Sequence, residues 1–109
     1  MSNPELTDRE IEIIRHSLGW NRDRFAYRNY FAADRDSEDD AIWLGLVKRG
    51  LAIGRETSVT PDRTYSVGLR AANAVRKEGE ILAPEIAAIL HRVDENLQKL
   101  HGQESSNDS

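Results

Sequence analysis

The residues best equipped for contact chemistry in this 109-residue chain lie in one stretch, Trp20 to Phe31, W-N-R-D-R-F-A-Y-R-N-Y-F. It holds five of the seven aromatic residues, Trp20, Phe25, Tyr27, Tyr30 and Phe31, interleaved with Arg22, Arg24 and Arg28. Arg15 and Arg35 flank it, and Asp23 and Asp34 are the nearby acids. Exposed rings beside guanidinium groups suit base stacking on single-stranded nucleic acid. Tyr, Trp and Arg are also the residues enriched in protein-binding hot spots. A chain this short needs its rings for a core as well, so core and contact uses both stand. A mixed case has Phe25 and Phe31 buried and Tyr27 or Tyr30 half exposed.

Other chemistry is harder to assemble. Asp34-x-Asp36-x-Glu38 resembles the start of a calcium loop, but Asp39 stands at the position that needs Gly and Gly45 at the position that needs Glu. A solvated acidic loop is the better reading. His16, His91 and His101 are scattered without metal-ligand spacing. No Ser/His/Asp set, P-loop or dinucleotide-binding glycine pattern occurs, and the absence of cysteine excludes disulfides and thiolate chemistry. The expectation is a protein that is not an enzyme and needs no cofactor or metal.

Composition sets the frame. Hydrophobic content of 39% with 31% charged residues fits one globular domain. No apolar run is long enough to span a membrane. The first residues, M-S-N-P-E-L-T, lack the layout of a secretory signal, which together with the missing cysteine suggests a cytoplasmic protein. Of the net charge of −4, residues 1–83 carry −1 and residues 84–109 carry −3. The body is therefore near neutral, unlike a wholly basic nucleic-acid binder.

The elements that must hold these residues are readable to differing degrees. Thr7 and Glu10 form a capping box for a helix over 7–18, with a Leu6/Ile11 staple, and Gly19 and Trp20 at its left-handed exit. Tyr27, Tyr30 and Phe31 have i, i+3, i+4 spacing and predict a short helix. Ser37 and Asp40 predict a capped helix over 37–49 that buries Ile42, Trp43, Leu46 and Val47 and stops at Gly50. A hairpin follows, with strands 51–59 and 64–67 about the turn T-P-D-R at 60–63, and Ile53, Tyr65 and Val67 as core candidates. Leu69 to Glu78 predicts a thin-faced helix built on Leu69, Ala72 and Val75. A last helix opens at Pro84 and closes at Gly102, its seam Ile86, Leu90, Val93, Leu97 and Leu100 following a heptad. That seam either packs on its own domain or pairs two copies. Residues 103–109 have nothing to bury and are expected to be disordered.

This order resembles a winged-helix domain. The stretch 46–51, L-V-K-R-G-L, with Asp62-Arg63 and Tyr65-Ser66-Val67, looks like the third helix and wing of such domains. More narrowly, L-T-D-R-E-x7-L-G at 6–19 with Y-R-N-Y-F at 27–31 resembles small uncharacterised phage and prophage proteins. The usual V-T-x-x-G after the wing is missing here, Val67, Gly68 and Ala71 standing at its positions. The fold expected is mostly α (α+β): a winged-helix-like domain over 1–83 with a two-stranded hairpin wing, then an amphipathic helix over 84–102. The resemblance implies a DNA-associated regulator, touching DNA through Arg22, Arg24, Tyr27, Arg28 and Tyr30 and through the wing residues Arg55 and Arg63. The alternative is a module that binds a host protein complex, as a host-takeover or defence-inhibiting protein would, with acidic surfaces imitating nucleic acid. Helix 37–49 would be the reading helix, yet its first turn, Ser37-Glu38-Asp39-Asp40, would repel a phosphate-lined groove.

Overall fold

The structure, a computed structural model, describes residues 4–56 and 61–107. It is an α+β fold of four helices and one three-stranded antiparallel sheet, in the order α1 (Asp8–Leu18), β1 (Phe31–Asp34), α2 (Glu38–Lys48), β2 (Ala52–Glu56), β3 (Asp62–Val67), α3 (Leu69–Val75) and α4 (Pro84–Asn107). The strands lie in the order β1-β3-β2.

Helix α1 forms as its capping residues require. The Thr7 hydroxyl accepts the Glu10 N–H at 3.1 Å, and Glu10 Oε1 accepts the Thr7 N–H at 2.9 Å. At the other end Gly19 takes a φ of 91°, while its N–H and that of Trp20 reach back to the carbonyls of His16 and Arg15. Ile13, Ile14 and Leu18 are buried, and Trp20 folds in beneath the last turn.

The segment after Gly19 corrects the expectation of a short helix. Residues 23–30 run irregularly and Phe31–Asp34 is a strand paired with β3. The cause lies in the end of α1, whose last carbonyls have no intrahelical donors. Tyr27 N–H donates to Leu18 O and Tyr30 N–H to Ser17 O, both at 3.1 Å, so this segment satisfies α1 rather than itself. The two-stranded wing is accordingly a three-stranded sheet.

Helix α2 starts at Ser37, whose hydroxyl accepts the Asp40 N–H at 3.1 Å. Asp40 does not complete a capping box. Its carboxylate is buried and accepts from Asp36 N–H, Tyr65 and Arg63 instead. Gly50 (φ 74°) and Leu51 close the helix, donating to Val47 and Leu46.

The hairpin is longer on its return side than the turn signal implies, since Asp62 and Arg63 already belong to β3. Residues 57–60, which include the start of that turn and the end of the expected first strand, lie outside the described residues. Register sets the two faces: Phe31 and Gly54 flank Tyr65, and Ala52 faces Val67. Alternation therefore puts Phe31, Ala33, Tyr65, Val67 and Ala52 inward, and Ile53, Arg55, Asp34 and Asp62 outward. Ile53 is thus no core residue, and Ala52 takes its place.

Helix α3 ends at Val75, earlier than expected, because Arg76 turns extended with ψ 133°. Helix α4 packs on its own chain: Leu90 is fully buried, Leu97 nearly so, and Ile86 rests against the core. Gly102 does not close it; the helix continues to Asn107. One glycine costs only ~1 kcal/mol inside a helix, which the rest of the turn can absorb. The unstructured tail expected from 103 is therefore helical as far as Asn107.

Candidate binding face

The turn at Gly19 and the two backbone bonds from Tyr27 and Tyr30 lay the arginine-aromatic segment across the C-terminal end of α1. Its rings divide between core and surface. Trp20 is buried and Phe31 half-buried, but Phe25, Tyr27 and Tyr30 are 43%, 51% and 53% exposed. The mixed case is therefore corrected for Phe25, which is on the surface.

Arg28 organises the exposed rings. Its guanidinium carbon lies 5.6 Å from the Tyr27 ring centre and 5.7 Å from that of Tyr30. One Nη2 donates to His16 O at 2.7 Å, at the negative end of α1, and its Nε is enclosed without a hydrogen-bond partner. Tyr27 also lies against Gly19, where an added Cβ would sit 2.3 Å from its ring. Gly19 thus serves the exit turn and the seat of the ring together. Arg24 lies 5.1 Å from the Phe25 ring centre.

A second segment joins this surface, one that linear reading does not place there. Phe25 and Ile81 form a parallel bridge, with Ala26 N–H donating to Ile81 O at 3.1 Å and Ile81 N–H to Arg24 O at 2.8 Å. The bridge brings residues 76–81 alongside 22–28. Exposed Arg76 and Lys77 add to Arg22, Arg24 and Arg28, against Asp23 and Glu78. Glu80 is matched by Arg15, whose two terminal nitrogens grip both its oxygens at 2.6 and 2.5 Å. That grip holds the Glu80 carboxyl below the ordinary range, with burial opposing and Lys77 N–H assisting. The adjacent basic pair Arg76-Lys77 was the only sequence signal for this part of the face.

The remaining site residues lie elsewhere. Arg55 sits on the outer face of β2, opposite Thr64. Arg63 turns to the inner side, donating to Asp40 at 2.9 Å and Glu56 at 2.7 Å, so its guanidinium is already engaged. Tyr65 completes that cluster with its hydroxyl 2.5 Å from Asp40 and its ring stacked on Trp43 at 5.3 Å. Sequence offered no sign of it, since Asp40 stands where a capping acid would. On α4 the heptad seam is divided: Leu90, Leu97 and Ile86 face the core, Val93 is half-buried and Leu100 is 60% exposed. A cavity of about 600 Å³ between α2, α3 and α4 is lined by groups of both signs, among them Lys48, Arg70, His91 and Glu95. Among the described residues no cluster of three or more His, Cys, Asp or Glu could hold a metal ion. None of their helices is long and apolar enough to cross a membrane.

No protein-family model, characterised protein or solved structure matches the chain.

Proposed function

We propose that this chain is a non-enzymatic, phage-type accessory or regulatory protein of the cytoplasm, winged-helix-like in build, that associates with DNA through the face formed by residues 22–30 and 76–81. The observation that carries the reading is the pair of half-exposed rings, Tyr27 and Tyr30, gathered about Arg28 on a locally basic surface. The order helix, strand, helix, hairpin supports the winged-helix comparison. Helix α2 is a poor groove reader, because Glu38 and Asp39 stand at its N-terminus beside the acidic Asp34 and Asp36. Contact therefore falls to the arginine-aromatic face, which binds phosphate by charge and bases or sugars by its rings. Titration of labelled DNA in a salt series tests this. Affinity should fall steeply as salt rises, and Arg24→Ala should weaken it without altering the circular dichroism spectrum. No retention of any DNA at low salt would sink the proposal.

A second reading, a module that binds a host protein complex, is favoured by one feature. Phe25 and Ile81 form an exposed apolar pair beside Arg24 and Tyr27, a composition that suits a protein hot spot. Light scattering after size exclusion, with DNA or with host extract, separates the two and reports whether α4 pairs a second copy.

A further inference from the structure

Resting on the proposed DNA association, we infer that this face takes an unpaired strand of nucleic acid in preference to a duplex, with Tyr30 and Phe25 as base platforms. Three features of the surface support this. The first is where the rings stand. Bases inside a duplex already stack on one another, so exposed rings on a protein surface gain contact area only from bases that are splayed out. Tyr30 and Phe25 are each about half exposed, on a segment whose backbone is bonded to α1 on one side and to Ile81 on the other. They stand ready without having to be ordered by the ligand.

The second feature is the placement of charge. Arg28 lies beside Tyr27 and Tyr30, and Arg24 lies over Phe25, so each exposed ring has a guanidinium next to it. A single strand likewise presents each base next to a phosphate. Arg76 and Lys77 are brought alongside by the Phe25–Ile81 bridge and add positive charge for the backbone of a strand to meet. The third feature is what a duplex would need and does not find. Carboxylates at the leading end of a helix are repelled by a phosphate-lined groove, and α2 presents Glu38 and Asp39 there.

The test is anisotropy of fluorescein-labelled oligothymidylate, oligouridylate and a mixed-sequence duplex of the same length, at low salt, with the whole chain. Either homopolymer should bind at least ~10-fold more tightly than the duplex. Tyr30→Ala should weaken homopolymer binding by about 5-fold to 150-fold, the worth of one stacked base, while leaving the salt slope unchanged. Tyr30→Phe should retain most of the affinity. Tyr30 is exposed, so a circular dichroism spectrum matching the wild type keeps the comparison valid. Equal or tighter duplex binding, with Tyr30→Ala and Phe25→Ala silent and Arg24→Ala weakening, would overturn the stacking inference and leave the DNA association standing. No binding to any of the three would overturn both.

Discussion

Asp94 of α4 caps α3 from outside it. Its Oδ2 accepts the Arg70 N–H at 3.0 Å, and its Oδ1 lies 1.8 Å from where a Cβ on Gly68 would be. Gly68 is the N-cap of α3 and offers no side-chain bond of its own. The carboxylate from α4 thus stands in for the capping side chain that Gly68 lacks, and the missing side chain leaves it room. Asp94→Ala should lower stability by about 1 kcal/mol, the usual worth of a cap. Gly68→Thr supplies a local cap in a backbone conformation any residue can adopt, and it displaces Asp94. In that background Asp94→Ala should cost almost nothing. A double-mutant cycle by urea unfolding checks this, and additive losses would show that the two residues do not share one cap.

The Asp40–Tyr65 bond sets a second expectation. Asp40 is 1% exposed and holds three donors, so Asp40→Ala leaves the buried Tyr65 hydroxyl without an acceptor and should cost about 3 kcal/mol. Burial pushes the Asp40 carboxyl up, but the bonds from Tyr65 and Asp36 N–H and the charge of Arg63 together bring it below its ordinary 3.8. A lowered carboxyl stabilises the fold above 3.8, and that share is lost as pH falls through the folded value. The gap between wild type and Asp40→Asn should therefore narrow below pH 3.8. Burial first, and then the bond to Asp40, push the Tyr65 phenol up to about 12. Its share is present below 10.0 and lost as pH rises towards about 12, so Tyr65→Phe should flatten the alkaline limb of the stability curve.

Asp62 behaves in the opposite sense. It stands directly across from Asp34 on the outer face of the sheet; a proton shared with the Asp34 carboxyl, then burial and the like charge of Asp34, favour its neutral form and raise it above 3.8. A raised carboxyl favours the fold below 3.8 and loses that share as pH climbs through the folded value. Asp62→Asn keeps a donor facing Asp34 at every pH. It should raise the urea midpoint at neutral pH and converge with the wild type below 3.8. A lower midpoint at neutral pH would show that the pair is not strained by like charge.

These particulars show which parts of the fold the chain declares locally. The ends of α1 and α2 were legible because caps act within a few residues: Thr7 on Glu10, Ser37 on Asp40, Gly19 and Gly50 at the exits. Strand β1 was not, because F-A-A-D carries no alternating pattern and its partners lie some thirty residues on, at 62–65. The spacing of Tyr27, Tyr30 and Phe31 looked helical only because nothing in the sequence says that Leu18 O and Ser17 O will claim those amides. Asn29 is a similar case. Its side chain exchanges two bonds with Val67, each 2.9 Å, and so fastens the segment to β3 in a way no spacing announces. Of the candidate face, residues 22–30 were visible and residues 76–81 were not, since only the Phe25–Ile81 bridge puts them together.

Glu80, next to Ile81 of that bridge, is held by Arg15 of α1. Both side chains are nearly buried, at 13% and 11% exposure, and Arg15 also donates to Val75 O at 2.9 Å. Glu80 in turn accepts the Lys77 N–H at 2.6 Å, so the Arg15–Glu80 pair ties α1, the end of α3 and the 76–81 loop. Glu80→Gln retains the size but exchanges a charged, two-pronged partner for a neutral one, and should cost about 2 kcal/mol. Its effect should be concentrated where the loop meets the arginine-aromatic segment. Hydrogen exchange at the Ala26 and Ile81 amides, which bond across the bridge, should quicken more than exchange at Val67, held in the sheet by Asn29. Because Glu80 lies below its ordinary 4.5, the same loosening should appear in the wild type as pH falls below that value. Uniform quickening across all three amides would mean that the pair supports the whole fold rather than this face, and that Phe25 and Ile81 are held in place by something else.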